Sequence, residues 1–334
     1  MGEFELIRQF FMHHQPHPNV VLGNGDDAAL LQPSPGHVLA VSTDMLVQGR
    51  HFFADVDPYA LGHKALAVNL SDMAAMGAKP VALTLALALD TAQRQPDWLQ
   101  AFAAGLLDLA QDHGCALVGG DTTAGPLNVC ITILGEVPAD QSLKRSTAQV
   151  GDEIYVTGDL GRARVALEAL RSGWGLHPQH EVLASCRERL ERPTPRIQLG
   201  LALRGVAHAC ADVSDGLLAD LGHILQASGV SAQVDVDALL NSPACHPLVR
   251  ALPLHQALTA LLAGGDDYEL VFTAPLAARA SLEALSHQLD APLTRIGRVL
   301  SAQAHGPRCE LVSAQGQSFA LPAGVQLQGF DHFA

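Results

Sequence analysis

Residues 57–89 read DPYALGHKALAVNLSDMAAMGAKPVALTLALAL, and this stretch sets the fold class. Asp57-Pro58 reads as a helix start, because proline is pre-organised for the first helical position and gives up no N–H needed there. The helix should run through roughly Met76, with Gly77 and Pro80 closing it. Val81 to Leu89 follows as an apolar run whose length and flanks make it a strand. It is far too short to cross a bilayer. A largely apolar helix feeding an apolar strand is a building block of α/β folds.

The same alternation extends in both directions. Upstream, Glu3 to His14 reads as a helix with Phe4, Ile7, Phe10 and Phe11 on one face, ended by Pro16 and Pro18. Val38 to Val41 reads as a buried strand. Downstream, Asp97 to His113 is an amphipathic helix with Gly114 as its cap. Strands at 116–118 and 129–134 flank a Gly-rich turn. Past residue 150 come a strand at 153–157, a helix from about Gly161, helices at 216–227 and 277–288, and strands at 233–236, 270–273 and 294–300. A chain of 334 residues suggests two domains. A boundary near residue 150, in Lys144–Gly151, divides it into residues 1–148 and 149–334, each an α/β domain of the α+β type, the first built on a mixed sheet.

The chain carries 20 Lys and Arg against 34 Asp and Glu, for a net charge of −14. That balance argues against a nucleic-acid binder, which needs a basic surface for phosphates. Aromatic residues at 4% leave few platforms for base stacking. Charged residues at 16% and hydrophobic ones at 48% describe a packed core rather than a disordered acidic chain. The start, Met1-Gly2-Glu3-Phe4-Glu5, is acidic where a secretory signal is basic. The six cysteines form no CxxC pair, which fits buried reduced thiols. A cytoplasmic location is expected, with no membrane and no nucleic-acid partner.

Six acidic constellations stand out, and each has a plain structural reading beside a functional one. Gly23-Asn24-Gly25-Asp26-Asp27 is an Asp-rich turn, or a place where paired carboxylates meet a cation. Ser42-Thr43-Asp44 at a strand end is an N-cap, or a hard-oxygen ligand set for Mg²⁺. Asn69 and Asp72 share one face of a mostly apolar helix, where a buried carboxylate needs a distant arginine or a metal. Val118-Gly119-Gly120-Asp121-Thr122-Thr123 offers free backbone N–H groups next to a carboxylate, a cradle for a phosphate with its metal. Lys144-Arg145-Ser146 could supply the cation to that phosphate. Asp212-Val213-Ser214-Asp215-Gly216 puts two acids and a hydroxyl at a helix start, more than a cap requires. Gly264-Gly265-Asp266-Asp267-Tyr268-Glu269 repeats the paired acids. Together these turns suggest a shared polyphosphate site using several cations. Nine carboxylates, Asp26, Asp27, Asp44, Asp72, Asp121, Asp212, Asp215, Asp266 and Asp267, would then explain most of the charge excess. The chain has no HExxH, GxSxG or zinc spacing.

At this point the residues resemble a known family. Gly25-Asp26-Asp27, Ser42-Thr43-Asp44, His51-Phe52, the run Lys64 to Ala78, Gly119 to Thr123, Asp212 to Leu217, Gly265 to Leu270 and the terminal Gly329 to Phe333 match the motifs of thiamine-monophosphate kinases in order and spacing. The wider superfamily holds aminoimidazole-ribotide synthetase, selenophosphate synthetase and the hydrogenase-maturation dehydratase. The resemblance implies transfer of phosphate from ATP to thiamine monophosphate, several Mg²⁺ ions, and a homodimer built on the N-terminal domains. It further implies metal positions at Asp27, Ser42, Thr43, Asp44, Asp72, Asp121, Asp212 and Asp215. Nucleotide contacts are implied at Gly120, Asp121, Arg145 and Ser214, and thiamine-phosphate contacts at His51, Asp266 and Phe330. Two positions depart from the family pattern: Asp266 stands where Glu is usual, and Phe330 where Trp or Tyr is frequent. The competing readings are an ATP-dependent ligase of the same superfamily, which releases free phosphate, and a non-catalytic nucleotide or metal sensor.

Overall fold

A computed structural model describes residues 2–12, 17–176, 183–302, 304 and 306–329. The chain forms two compact units, one of residues 1–73 with 78–142, the other of residues 74–77 with 143–334. In the first, α1 (Glu3–Phe10) precedes β1 (Val20–Leu22), β2 (Leu30–Leu31) and β3 (His37–Val47). Then come α2 (Pro58–Ala75), β4 (Lys79–Leu89), α3 (Pro96–Asp112), β5 (Ala116–Ala124) and β6 (Asn128–Pro138). In the second unit, β7 (Glu153–Thr157), α4 (Arg162–Leu170), α5 (Ala184–Glu191), α6 (Ile197–Ala202), β8 (Ala209–Val213) and α7 (Leu217–Ser228) come first. They are followed by β9 (Val230–Asp235), α8 (Val236–Leu240), α9 (Pro247–Arg250), α10 (Leu254–Ala263), β10 (Glu269–Ala274), α11 (Arg279–Gln288), β11 (Leu293–Ser301) and β12 (Cys309–Val312).

The first unit is built on a four-stranded sheet in the order β3-β6-β4-β5. β3 and β6 pair antiparallel over their whole length, from His37 opposite Pro138 to Val47 opposite Asn128. β4 runs antiparallel to β6 and parallel to β5, so the sheet is mixed, as expected. Helix α2 starts at Pro58, with the Asp57 carboxylate accepting from the Ala60 N–H at 3.0 Å. It ends where Gly77 takes a φ of +61°. α2 and α3 approach closely because of two glycines: a Cβ on Gly62 would lie 2.0 Å from the Phe102 carbonyl oxygen, and one on Gly105 1.9 Å from that of Tyr59. Leu61, Leu66, Leu70 and Met73 from α2 and Leu99, Phe102 and Leu106 from α3 are buried. Met73 lies against Gly135 of β6, which places α2 on the sheet.

The segment before β3 is fastened by one buried acid. Glu136 accepts from the Ser34 N–H at 2.9 Å, from the Ser34 hydroxyl at 3.0 Å and from the Asn19 amide at 3.1 Å. Burial pushes its carboxyl up, but the two Ser34 donors, with His37 and Lys79 nearby, outweigh that and hold it below the usual range.

The second unit holds a six-stranded sheet in the order β12-β9-β11-β7-β10-β8, antiparallel except for β12 beside β9. Its core gathers Ile154, Val156, Leu217, Leu221, Ile224, Leu258, Leu262 and Val271. All six cysteines are free thiols. Among the described residues no helix is long and apolar enough to cross a membrane. The sequence expectation of a helix to His14 differs from α1, which ends at Phe10; His13 and His14 lie outside the described residues. The Gly-rich turn expected at 119–123 is instead part of strand β5, because parallel pairing to β4 continues through Ala124.

Candidate functional site

In the first unit the acidic residues come from three elements. Ser42 on β3 donates its hydroxyl to the Asp72 carboxylate on α2. Side chains alternate along a strand, so Asp44 shares the helix-facing side with Ser42, whereas Thr43 points away. The Thr43 hydroxyl is instead within 2.9 Å of the Thr132 hydroxyl directly across the pair. The structure thus brings Ser42 and Asp72 together and turns the Thr43 hydroxyl to the opposite face; Ser42, Thr43 and Asp44 lie in the middle of β3 and not, as expected, at a strand end.

β5 carries Gly120 and Asp121 on the free edge of the same sheet. One extra residue, Val118, sits between the pairs Leu83–Leu117 and Thr84–Gly119, a bulge that re-aims the residues after it. Gly120 has a φ of +151°, and a Cβ there would lie 1.9 Å from the Leu85 carbonyl oxygen. The strand can therefore pass β4 at this point only with glycine. Asp121 comes next and is exposed. The Asn24 amide donates to the Leu117 carbonyl at 3.0 Å, which ties the exposed Gly25-Asp26-Asp27 turn to the start of this bulge.

His51 is half-buried in the loop after β3. The Val47 N–H donates to its Nδ1 at 2.9 Å, so the neutral ring carries its proton on Nε2. The buried Lys64 ammonium reaches the His51 carbonyl at 3.4 Å and holds the loop from the other side.

In the second unit one strand pairing joins two motifs some fifty residues apart. β8 and β10 are antiparallel with Val213 opposite Glu269, so the end of β8 meets the start of β10. The Asp266 N–H donates to the Ser214 carbonyl at 2.8 Å, and the Tyr268 N–H to the Val213 carbonyl at 2.9 Å. Asp266 and Tyr268 both adopt left-handed backbone, with φ of 64° and 50°. Their side chains turn to each other, the Tyr268 hydroxyl donating to Asp266 at 3.3 Å. Asp212 is buried at the end of β8, and Ser214 and Asp215 come after it, half-buried. Arg145 belongs to this unit: its carbonyl accepts from Ser228 of α7 at 2.8 Å, and the Lys144 carbonyl accepts from Cys210 of β8 at 3.2 Å.

Two of the paired acids have other work. Asp267 is 1% exposed and accepts twice from the Gly161 N–H, at 3.0 Å each. Burial drives its carboxyl well above the usual range, with the Gly161 bond opposing the rise. Glu269 is fully buried and takes Arg196 Nε at 2.7 Å, together with Arg189 and Thr157. Asp267 therefore does not belong with the nine site acids expected from sequence. Alternation along the segment sends 266 and 268 one way and 267 and 269 into the core.

One acid escaped the sequence reading. Asp220 lies in the first turns of α7 and is 2% exposed. Its ligand atom, one from Asp215 and one from His223 lie within 4.8 Å of one another. Burial first, and the Asp215 carboxylate second, push the Asp220 carboxyl up to about 7. An acid early in a helix that begins after Ser-Asp-Gly was the available signal, since such residues reach back to free N–H groups.

Family models match both halves of the chain: AIR synthase related protein, N-terminal domain, over residues 25–137, and its C-terminal domain over residues 149–310. Thiamine-monophosphate kinase of Salmonella typhimurium (strain LT2) is 44% identical over the full chain and 98% of its own length. The chain belongs to the thiamine-monophosphate kinase family. Among solved structures, thiamine-monophosphate kinase from Stenotrophomonas maltophilia K279a superimposes with a TM-score of 0.80 at 46% identity, covering 90% of this chain and 93% of that one. AaThiL complexed with AMPPCP and TMP gives 0.70 at 27% identity, covering 90% and 89%. Within this thiamine-monophosphate kinase family member, Phe330 lies outside the described residues. The remaining motif residues fall on the Asp26–Asp27 turn, within β3, in the loop after it, on α2, beside the β5 bulge, on the short turn at Arg145 and between the end of β8 and the start of α7 or β10.

Proposed function

We propose that this chain transfers the γ-phosphoryl group of ATP to thiamine monophosphate, giving thiamine diphosphate and ADP by direct in-line attack. What carries the reading is the 44% identity, over the whole length, to a protein named thiamine-monophosphate kinase. The structure of a relative complexed with AMPPCP and TMP agrees with both substrates.

The donor chemistry fits Mg²⁺. The groups are carboxylates and a hydroxyl, hard oxygens that suit this ion. Asp215 and Asp220 are close enough to repel, which a divalent cation relieves. We assign Asp27, Ser42, Asp44, Asp72, Asp121, Asp212 and Asp215 to hold Mg²⁺, with the Thr43 hydroxyl turned to the opposite face. Bound there, the ions would neutralise phosphate charge and orient the oxygens.

The chain's own groups do the rest. Gly120 exposes backbone beside the Asp121 carboxylate, and Ser214 offers a hydroxyl, both toward nucleotide. Arg145 screens phosphate charge. His51 donates from Nε2, and Asp266, oriented by Tyr268, accepts, both toward thiamine monophosphate; Phe330 is assigned to the same side. No side chain needs to act as general base, because a phosphate monoester has a second pKa of about 6 and is largely ionised at pH 7.

We also propose a homodimer through β3, in a cytoplasmic protein. β3 is an edge strand eleven residues long. Leu39, Val41 and Met45 alternate along one face and are exposed. Sedimentation of the native chain and of Val41→Lys checks the dimer.

The deciding experiment measures ADP release with and without thiamine monophosphate and identifies the products. Thiamine diphosphate formed in step with ADP supports the kinase. Free phosphate with an unmodified acceptor supports the ligase, and Mg·ATP binding without turnover supports the sensor.

A further inference from the structure

We propose that Asp220 is a positioning residue that fixes the Ser214–Gly216 turn on which the nucleotide and cation groups of the second unit are mounted. The inference rests on the kinase reading for the roles of Ser214, Asp215 and Asp266. Asp220 Oδ2 accepts from the N–H groups of Asp215 and Gly216, at 3.1 Å each. These amides lie just before α7, where helical N–H groups lack partners within the helix. The opposite side of the turn is held by backbone alone, through Asp266 to the Ser214 carbonyl at 2.8 Å and Tyr268 to the Val213 carbonyl at 2.9 Å. One side chain and one neighbouring strand lead-in thus clamp residues 213–216 from both sides.

A plain cap does not require this arrangement. A Ser, Thr or Asn at a helix start satisfies such amides without burying a charge. Here the acceptor comes from inside the helix, is 2% exposed, and sits beside a second carboxylate. Its two bonds fix the peptides on either side of Asp215, and so the direction in which Asp215 leaves the chain. The Ser214–Asp215 peptide is also the one whose carbonyl takes the Asp266 N–H. Removing the acceptor should free both residues at once, although Asp220 is assigned no contact with nucleotide or thiamine monophosphate.

The test compares the full-length protein with Asp220→Ala and Asp220→Asn. Asparagine keeps an oxygen that can accept both amides and drops the charge. Three quantities are measured: calorimetric binding of AMPPCP with Mg²⁺, hydrogen exchange of the 212–221 segment, and the thermal midpoint. Asp220→Ala should weaken binding about tenfold or more and speed exchange in the segment, while Asp220→Asn restores binding to within about threefold of the parent. Asp220→Ala that lowers only the midpoint and binds like the parent would overturn the proposal, leaving a helix cap. Asp220→Asn binding as weakly as Asp220→Ala would also overturn it, because charge rather than the acceptor would then matter. If Asp220→Ala does not fold, the Asp220→Asn result alone decides. None of the three measurements uses turnover, so an inactive parent protein counts against the kinase reading and not against this one.

Discussion

The Ser42 hydroxyl donates to the Asp72 carboxylate, thirty residues away in sequence, and so joins β3 to α2. Both are assigned to Mg²⁺, and the charged ligand should outweigh the neutral one. Asp72→Asn should lower kcat/KM about 100-fold, and Ser42→Ala about tenfold, in an ADP-release assay. Equal, small effects at both positions would remove this pair from the site.

How much of this was legible in the sequence depended on range. Pro58, Gly77 and the apolar run after Pro80 marked α2 and β4 because their signals are local. The motifs carrying Ser42, Asp121, Asp212 and Asp215 were visible as clusters of acids with glycine or hydroxyls. What the sequence could not supply was direction. Thr43 is indistinguishable from Ser42 and Asp44 until the strand's alternation sets its face. Asp267 looks like Asp266 until Gly161, 106 residues away, turns out to be its donor. Asp220 carried only the weak signal of an acid early in a helix, because its partners are two backbone N–H groups, which no residue letter records.

Gly120 is the clearest test of the β5 path. A Cβ would lie 1.9 Å from the Leu85 carbonyl oxygen, against neighbouring backbone that cannot swing aside. Gly120→Ala should therefore destabilise the protein by at least about 2 kcal/mol, read by urea unfolding. A parent-like midpoint would mean that the bulge shifts freely.

Glu269 makes a second stability prediction, in the other unit. It is fully buried among Arg189, Arg196 and Thr157. Glu269→Ala leaves the buried Arg189 and half-buried Arg196 guanidinium groups without their acid and should cost about 3–5 kcal/mol. Chemical denaturation of the variant measures that loss.

Glu136 sets a pH dependence. Its carboxyl is held below its ordinary value of 4.5 in the folded protein. A depressed acid contributes stability that is fully present above the unfolded value and is lost as pH falls through the folded one. Thermal midpoints should thus decline below about pH 5, and Glu136→Gln should flatten that decline while lowering the neutral-pH midpoint. The second effect arises because Asn19 and Ser34 would face an amide that itself donates. An unchanged acid limb in the variant would assign the decline to other acids.

The left-handed backbone at Asp266 and Tyr268 sets stability against activity. Neither residue adopts such φ values without cost, and glycine would. Asp266→Gly should make the protein more stable and at the same time a poorer enzyme, with a raised KM for thiamine monophosphate. Selection for thermal endurance alone would erode this position, and selection for turnover would restore it. On the role proposed for Asp266, the ordinary-looking Gly-Gly-Asp-Asp turn is a point of permanent compromise between holding the fold and serving the substrate.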